Sequence, residues 1–428
     1  MKILIHSGEV VNPGGASGRL DVLLEDGKVI KMAEHIVDDT AQQVDASGKY
    51  VFPGLLDMHV HLREPGFEYK ETILSGTRAA VAGGFTAVAC MPNTAPVIDS
   101  EDAVRRIYDR AAQAGYARVY PIAAITKGQK GQELTEMGFL QQAGAVGFSD
   151  DGNPVVSDLV MRNAMVYAKN FDALLLSHCE NLPLVNGGAM NEGYASTMSG
   201  LRGNTRAAEE TMIAREIILA QTYAGKVHIC HVSTAYGFEL VRQAKARGVR
   251  VTCETCPHYF TLTDEACMGF DTNTKMNPPL RTEADRQAAI AAIADGTVDA
   301  IVTDHAPHHI DDKDVEFDLA ANGISGLETS LALGYMYLVQ TGAMDVAHWV
   351  ERMSVLPARI LGVDMGVLHE GGRADVTVFD PQKQWTVRAE ELQTKGKNTP
   401  YLGWELTGKA SDVFVDGRHV VRDYKVVD

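Results

Sequence analysis

The run Gly54-Leu55-Leu56-Asp57-Met58-His59-Val60-His61 ends an apolar stretch with two imidazoles two residues apart. On an extended strand successive side chains alternate faces, so His59 and His61 point the same way. Apolar runs of this length belong to parallel strands covered on both faces. Two imidazoles side by side at the mouth of such a strand make half of a metal site. A lone core histidine is more often only a satisfied polar group.

Further strand-like runs occur outward from this one, giving a set at residues 55–60, 86–90, 118–124, 145–148, 173–177, 227–230, 250–254 and 300–303. Helical patterns fall between most of them, at 70–82, 100–114, 133–143, 157–169, 206–223, 235–246 and 283–294. Eight strands alternating with helices predict an α/β fold of the (β/α)8 TIM-barrel type. A doubly wound open sheet fits less well, because no Gly-x-Gly-x-x-Gly follows the first strand. Two long connections, 181–203 and 257–281, lie where the loops of a barrel build the substrate site.

Both ends of the chain read differently. Short strands broken by glycine turns precede residue 50 and recur after about residue 365, with Asp26-Gly27 and Asp416-Gly417 as hairpin signals. The two ends are expected to pair into one small β-sandwich domain, 1–52 with 365–428, around a catalytic barrel at 53–364.

The 428 residues suit a large barrel with a satellite domain. A formal charge of −17 argues against nucleic acid, whose phosphates need clustered Lys and Arg. No apolar stretch approaches the ~18 residues that cross a bilayer, and the first residues do not form a signal-peptide core. Six cysteines without a short-spaced framework complete the expectation of a reduced, soluble, cytoplasmic protein with no membrane partner. Cys253-x-x-Cys256 lacks a second such pair and reads as strand-end core.

The residues that follow the strands carry the chemistry. The first strand delivers His59 and His61, the fourth Asp151, the fifth His178, the sixth His231 and the eighth Asp304. Four imidazoles and two carboxylates emerging at one end of a barrel suit zinc or a similar divalent ion. Six ligands exceed one tetrahedral ion with an open position, so two metals per subunit are expected, with Asp151 as the bridging carboxylate. Asp150 competes with Asp151 for that place. A water between two such ions ionises near neutral pH, and Asp304 is suited to take its proton.

This set resembles the amidohydrolase superfamily. The signatures His59-Val60-His61-Leu62-Arg63-Glu64-Pro65-Gly66, Met91-Pro92-Asn93-Thr94, Phe148-Ser149-Asp150-Asp151-Gly152 and Asp304-His305-Ala306-Pro307-His308 are similar to those of bacterial class I dihydroorotases, and Gly372-Arg373-Ala374-Asp375 extends the similarity across nearly the whole chain. The resemblance implies reversible, zinc-dependent cyclisation of N-carbamoyl-L-aspartate to L-dihydroorotate, the third step of pyrimidine synthesis, with Asp304 as general acid and base. It assigns His61, Arg63 and Asn93 to substrate, the last two to its carboxylate. It assigns Asn277 to the ring, His308 to the substrate, and Asn322 and Gly323 to backbone contacts with the ring. Relatives tend to carry an apolar residue or proline around Ala321-Asn322, and Asn322 also suits a plain turn before Gly323.

Each substrate residue has a plainer reading. Arg63 could be a solvated loop residue, Asn93 a turn residue, and Asn277 a shaper of the loop before Pro278-Pro279. One of His308 and His309 is expected to face solvent. His258 suits either a supporting or a structural role, and His6, His35, His228, His348, His369 and His419 are given none.

Two rival functions stand beside this one. The first is a dihydropyrimidinase, hydantoinase or allantoinase; such enzymes bridge their metals with a carbamylated lysine after the fourth strand, whereas residues 143–152 contain no lysine. The second is an inactive scaffold for a carbamoyltransferase, which would have lost ligands that are all present here. The expected partners are a small-molecule substrate, a second copy in a homodimer, and aspartate carbamoyltransferase.

Overall fold

The computed structural model describes residues 2–427. Eight parallel strands follow one another in chain order around a barrel: β1 (Leu55–Val60), β2 (Phe85–Cys90), β3 (Arg118–Ala123), β4 (Gly147–Ser149), β5 (Leu175–Ser177), β6 (Val227–Ile229), β7 (Val251–Thr255) and β8 (Ala300–Ile301). Each pairs in parallel with its neighbour from β1 to β8.

The helices start where side-chain caps allow. Ser100, Ser157 and Thr234 each accept a hydrogen bond from a first-turn N–H of the helices Glu101–Ala114, Asp158–Ala168 and Ala235–Ala246. Such caps satisfy donors that have no partner inside the helix. Gly115 and Gly144 end two helices with φ of 74° and 115°, a backbone region that favours glycine.

Several helices lie outside the seven expected patterns, among them Tyr194–Ser199, Val346–Glu351 and Val355–Leu361, and the longest of these is the one after β8. Leu327–Gly334 follows β8, with seven of its eight residues buried, and continues into a π-helical turn, Tyr335–Val339. It lies between the barrel and the sandwich, so it is covered on every side and has no polar face to create a helical period. Gly334 is required by closeness: a Cβ there would stand 2.6 Å from Trp349 Nε1.

The barrel closes through a mixed seam. At the rim, Val60 and His305 form a parallel bridge, and His61 N–H donates to His305 O at 2.8 Å. Lower down the backbone of 352–353 intervenes, with Met353 O accepting from Leu56 N and Arg352 O from Ile301 N. Between these levels the buried Asp57 carboxylate joins the two strands, accepting from His59 N, Thr303 N and Thr303 Oγ1. This seam brings Asp304 beside His59 and His61.

Both chain ends form the separate β-sandwich. One sheet is N-terminal, ordered Lys28–Ala33, Asp21–Glu25, Lys2–His6, Gln42–Asp45. The other is mixed: Tyr50–Pro53 pairs antiparallel with Val376–Thr386, which pairs with Glu405–Val415. Strand alternation then serves two cores at once. Val51, Val376 and Val378 face the sandwich interior with Ile3, Ile5 and Phe414. Phe52 and Phe379 face the other way and stack with each other at 5.7 Å, each meeting Trp349 edge-on. Sandwich and barrel thus share an apolar layer.

Candidate metal centre

All six strand-end residues converge at the C-terminal rim of the barrel, and all are nearly buried. Asp151 is central. Its Oδ1 lies 3.4 Å from His59 Nε2 and 3.5 Å from both His178 Nδ1 and His231 Nε2, and its Oδ2 lies 3.4 Å from His61 Nε2. Asp304 Oδ1 is 3.0 Å from His61 Nε2 and 3.6 Å from His59 Nε2. The ligand atoms fall into overlapping groups: His59, His61 and Asp151; His59, His231 and Asp304; and Asp151, His178 and His231.

Asp150 points elsewhere. Its carboxylate accepts from Ile125 N and Thr126 N at 2.8 and 3.0 Å and from the Thr126 hydroxyl, which ties the loop after β3 to β4. β4 ends at Ser149, and in the turn that follows only Asp151 is aimed at the histidines.

The donor set fits a divalent cation. His59 Nε2 and Asp151 Oδ1, which face each other, are buried without a hydrogen-bond partner. Buried polar atoms left in this state call for a partner. The field points the same way. Burial disfavours a charged His178, yet Asp151 and Glu180 raise its pKa to about 10. Burial likewise opposes a charged His59, which Glu254, Asp151 and Asp304 nevertheless push well up. Burial should raise Asp151 and Asp304, but the imidazoles outweigh it and hold both below the usual carboxylate range. An acid-rich pocket that drives its histidines to take up protons is one that a cation would satisfy.

Hydrogen bonds on the far ring nitrogens select the tautomers. His59 Nδ1 lies 2.5 Å from Glu254 Oε1, His61 Nδ1 lies 2.9 Å from Asn93 Oδ1, and His178 Nε2 lies 3.3 Å from Glu180 Oε2. Each acceptor oxygen favours the proton on that nitrogen and turns the other nitrogen into the cluster, where His178 Nδ1 lies 2.8 Å from His231 Nε2. Glu254 lies inside the barrel on β7, and its second oxygen is 3.1 Å from His228 Nε2. Glu254, Glu180 and His228 belong to no motif of the sequence. A carboxylate inside the apolar run Val251-Thr252-Cys253-Glu254-Thr255 was the available signal, since acids are almost never fully buried without a partner.

The residues expected at substrate surround the same rim. Arg63 donates through Nε to Pro307 O at 3.2 Å, and its Nη2 lies 3.3 Å from His308 Nε2. His308 is buried and His309 is not. His308 Nε2 lies 2.8 Å from Asn322 O and its Nδ1 is 3.2 Å from Lys70 Nζ. Burial, with Arg63 and Lys70 beside it, lowers its pKa to about 2 and keeps the ring neutral. The Asn277 amide reaches within 3.5 Å of His178 Nε2. The Asn322 side chain is exposed, while Gly323 N–H donates to Lys275 O at 3.0 Å. His258 is buried with Nε2 unpartnered, and burial lowers its pKa to about 3. Arg63, His231 and Asp304 all have left-handed backbone, with φ of 60°, 36° and 46°. That conformation costs a non-glycine residue roughly 1–2 kcal/mol, and such strain gathers at functional sites.

A (β/α)8 barrel with a buried histidine–carboxylate cluster at its C-terminal rim is the architecture of a metal-dependent amidohydrolase. A dihydro-orotase-like family model matches residues 48–236. A protein named dihydroorotase from Citrifermentans bemidjiense is 53% identical over 422 residues, covering 98% of this chain and 99% of that one. One of the same name from Acetivibrio thermocellus is 51% identical over 422 residues, with the same coverage of 98% and 99%. The chain belongs to the dihydroorotase family. Among solved structures, the L-hydantoinase (dihydropyrimidinase) of Arthrobacter aurescens superposes with a TM-score of 0.90 at 25% identity, covering 100% of this chain and 97% of that one. No helix among the described residues is long and apolar enough to cross a membrane.

Proposed function

We propose that this chain interconverts N-carbamoyl-L-aspartate and L-dihydroorotate in pyrimidine synthesis, with residues 53–364 as the catalytic unit and 1–52 and 365–428 as its β-rich support. The observation that carries the reading is Arg63. Its guanidinium is held at the rim of the acid-rich cluster by Pro307 O, beside the neutral His308. A planar cation there suits a substrate carboxylate, which dihydrouracil and simple hydantoins lack.

His59, His61 and Asp304 would hold one zinc ion and His178 and His231 a second, with Asp151 shared between them. Bound ions of this kind supply Lewis acidity toward a carbonyl oxygen and lower the pKa of a coordinated water. The chain's own residues do the rest. Asp304, held in its ionised form by His59 and His61, accepts a proton from the attacking water and delivers it to the ring nitrogen as the cyclic amide opens. In the closing direction it removes that proton from the ureido nitrogen. Arg63 and Asn93 orient the carboxylate, with Asn93 Oδ1 also fixing His61. Asn277, His308, Asn322 and Gly323 border the ring. A cytoplasmic homodimer that associates with aspartate carbamoyltransferase completes the proposal.

Hydantoinase-type chemistry is disfavoured by Asp151. The segment 143–152 offers no lysine for carbamylation, and an aspartate stands between the two histidine groups instead. The test is metal analysis combined with turnover of dihydroorotate against dihydrouracil. The expected outcome is zinc in the protein, dihydroorotate strongly preferred, and activity lost on chelation and regained with zinc. Equal rates on the two rings, or full turnover after the metal is stripped, would overturn the reading.

A further inference from the structure

Lys313 and Asn398 lie outside the metal cluster, and no motif singled them out. Lys313 is buried, in the short helix Ile310–Lys313. Its ammonium donates to three backbone carbonyls: Ala321 O at 2.7 Å, Gly323 O at 3.1 Å and Lys275 O at 3.3 Å. An ammonium has three donors, and here each has an acceptor.

The three carbonyls belong to two loops. Lys275 precedes Asn277 by two residues in the connection after β7, and Ala321 and Gly323 flank Asn322 after β8. The loops also touch directly, through Gly323 N–H to Lys275 O. Asn398 closes the arrangement from the C-terminal segment. Its Nδ2 donates to Gly323 O at 2.9 Å and Ala306 O at 3.1 Å, and its Oδ1 accepts from His308 N at 2.8 Å and Ser325 Oγ at 3.1 Å. Both amide protons and one side of the oxygen are thus engaged, and Ser325 Oγ, whose single proton also reaches Gly396 O at 2.6 Å, lies against the other side. Gly323 itself has no slack: its φ is 133°, and a Cβ there would stand 2.6 Å from that of Ala306.

We propose that Lys313 and Asn398 are positioning residues of the substrate site, which lock the 321–323 loop against the 275–277 loop through the carbonyls of Gly323 and Lys275. The proposal rests on the reading that these loops border the substrate ring. A side chain from the C-terminal segment thereby belongs to the working barrel, because it sets both His308 and Gly323. Lys313→Met takes one donor each from Ala321 O, Gly323 O and Lys275 O, and Asn398→Ala takes one each from Gly323 O and Ala306 O; either change loosens the loops, while neither residue touches a candidate metal ligand directly.

The test uses Lys313→Met and Asn398→Ala in the full-length, metal-loaded protein. Three quantities are read: steady-state kinetics on dihydroorotate, bound metal, and amide hydrogen exchange at Gly323 and across 275–277. Both variants should keep wild-type metal content, raise KM about tenfold or more with kcat changed only a few-fold, and speed exchange at Gly323. Unaltered exchange at Gly323, KM within about twofold of wild type, or loss of metal together with kcat would each overturn the latch. If Lys313→Met does not fold, Asn398→Ala carries the same three readings at the same carbonyl. A wild-type protein inactive on dihydroorotate would sink the functional reading, whereas the exchange measurement judges the latch separately.

Discussion

Two buried polar centres lie at the same end of the barrel, and their hydrogen bonds set them apart. One is built around Arg281, at the end of the long connection after β7. Its Nε donates to Ser233 Oγ, Nη1 to Asn191 Oδ1 and Asn204 O, and Nη2 to Glu209 Oε2. Glu209 also accepts from Ser233 N at 2.9 Å and Thr234 N at 3.2 Å. The guanidinium nitrogens and both carboxylate oxygens therefore have partners, and the group ties the loops after β5, β6 and β7 together. The other centre, around Asp151, leaves the facing atoms His59 Nε2 and Asp151 Oδ1 without partners. Burial alone does not distinguish scaffold from site. The Arg281–Glu209 pair has a partner for every charged atom, whereas the Asp151 centre sets unpartnered ligand-type atoms face to face.

Three substitutions would break or sharpen that contrast. The largest effect is expected from Asp304→Asn, which keeps the shape of the cluster and removes the proton acceptor. Turnover of dihydroorotate should fall on the order of 10³-fold while bound metal is retained. An active variant would remove Asp304 from proton transfer. Next is Arg281→Ala, which strands Glu209 in the interior and should cost about 3–5 kcal/mol of stability. The thermal midpoint reads this, and an unchanged midpoint would show that the satisfied cluster is not the scaffold described. The smallest effect is expected from Glu254→Gln, which keeps the volume but weakens the hold on the His59 Nδ1 proton. Metal affinity in equilibrium dialysis should drop on the order of 10–100-fold with the thermal midpoint of the metal-free protein little altered. Affinity equal to wild type would leave Glu254 with no part in aiming His59.

Much of the site was legible before the fold because a barrel converts order along the chain into position around a ring. Each of His59, Asp151, His178, His231 and Asp304 stands just after an apolar run, and parallel strands deliver such residues to one rim. Parity along a strand also places His59 and His61 together. Glu254, His228, Lys313 and Asn398 were not legible. Their partners are distant: Glu254 meets His59 across 195 positions, and Asn398 meets His308 across 90. The helix Leu327–Gly334 was hidden for a related reason, since a segment buried all round shows no periodicity.

The order of residues by itself determined the alternation of strands and helices, the pairing of the β-rich ends into a second layer, and the six side chains offered at the strand ends. Those features follow from local periods and from the geometry of parallel strands. Only the tertiary structure decided which nitrogen each histidine turns toward Asp151, how Asp57 and the 352–353 backbone seal the barrel, and which side chains hold the loops over the rim. Such choices depend on hydrogen bonds between segments far apart in the chain, whose meeting is set by packing and is written in no local pattern.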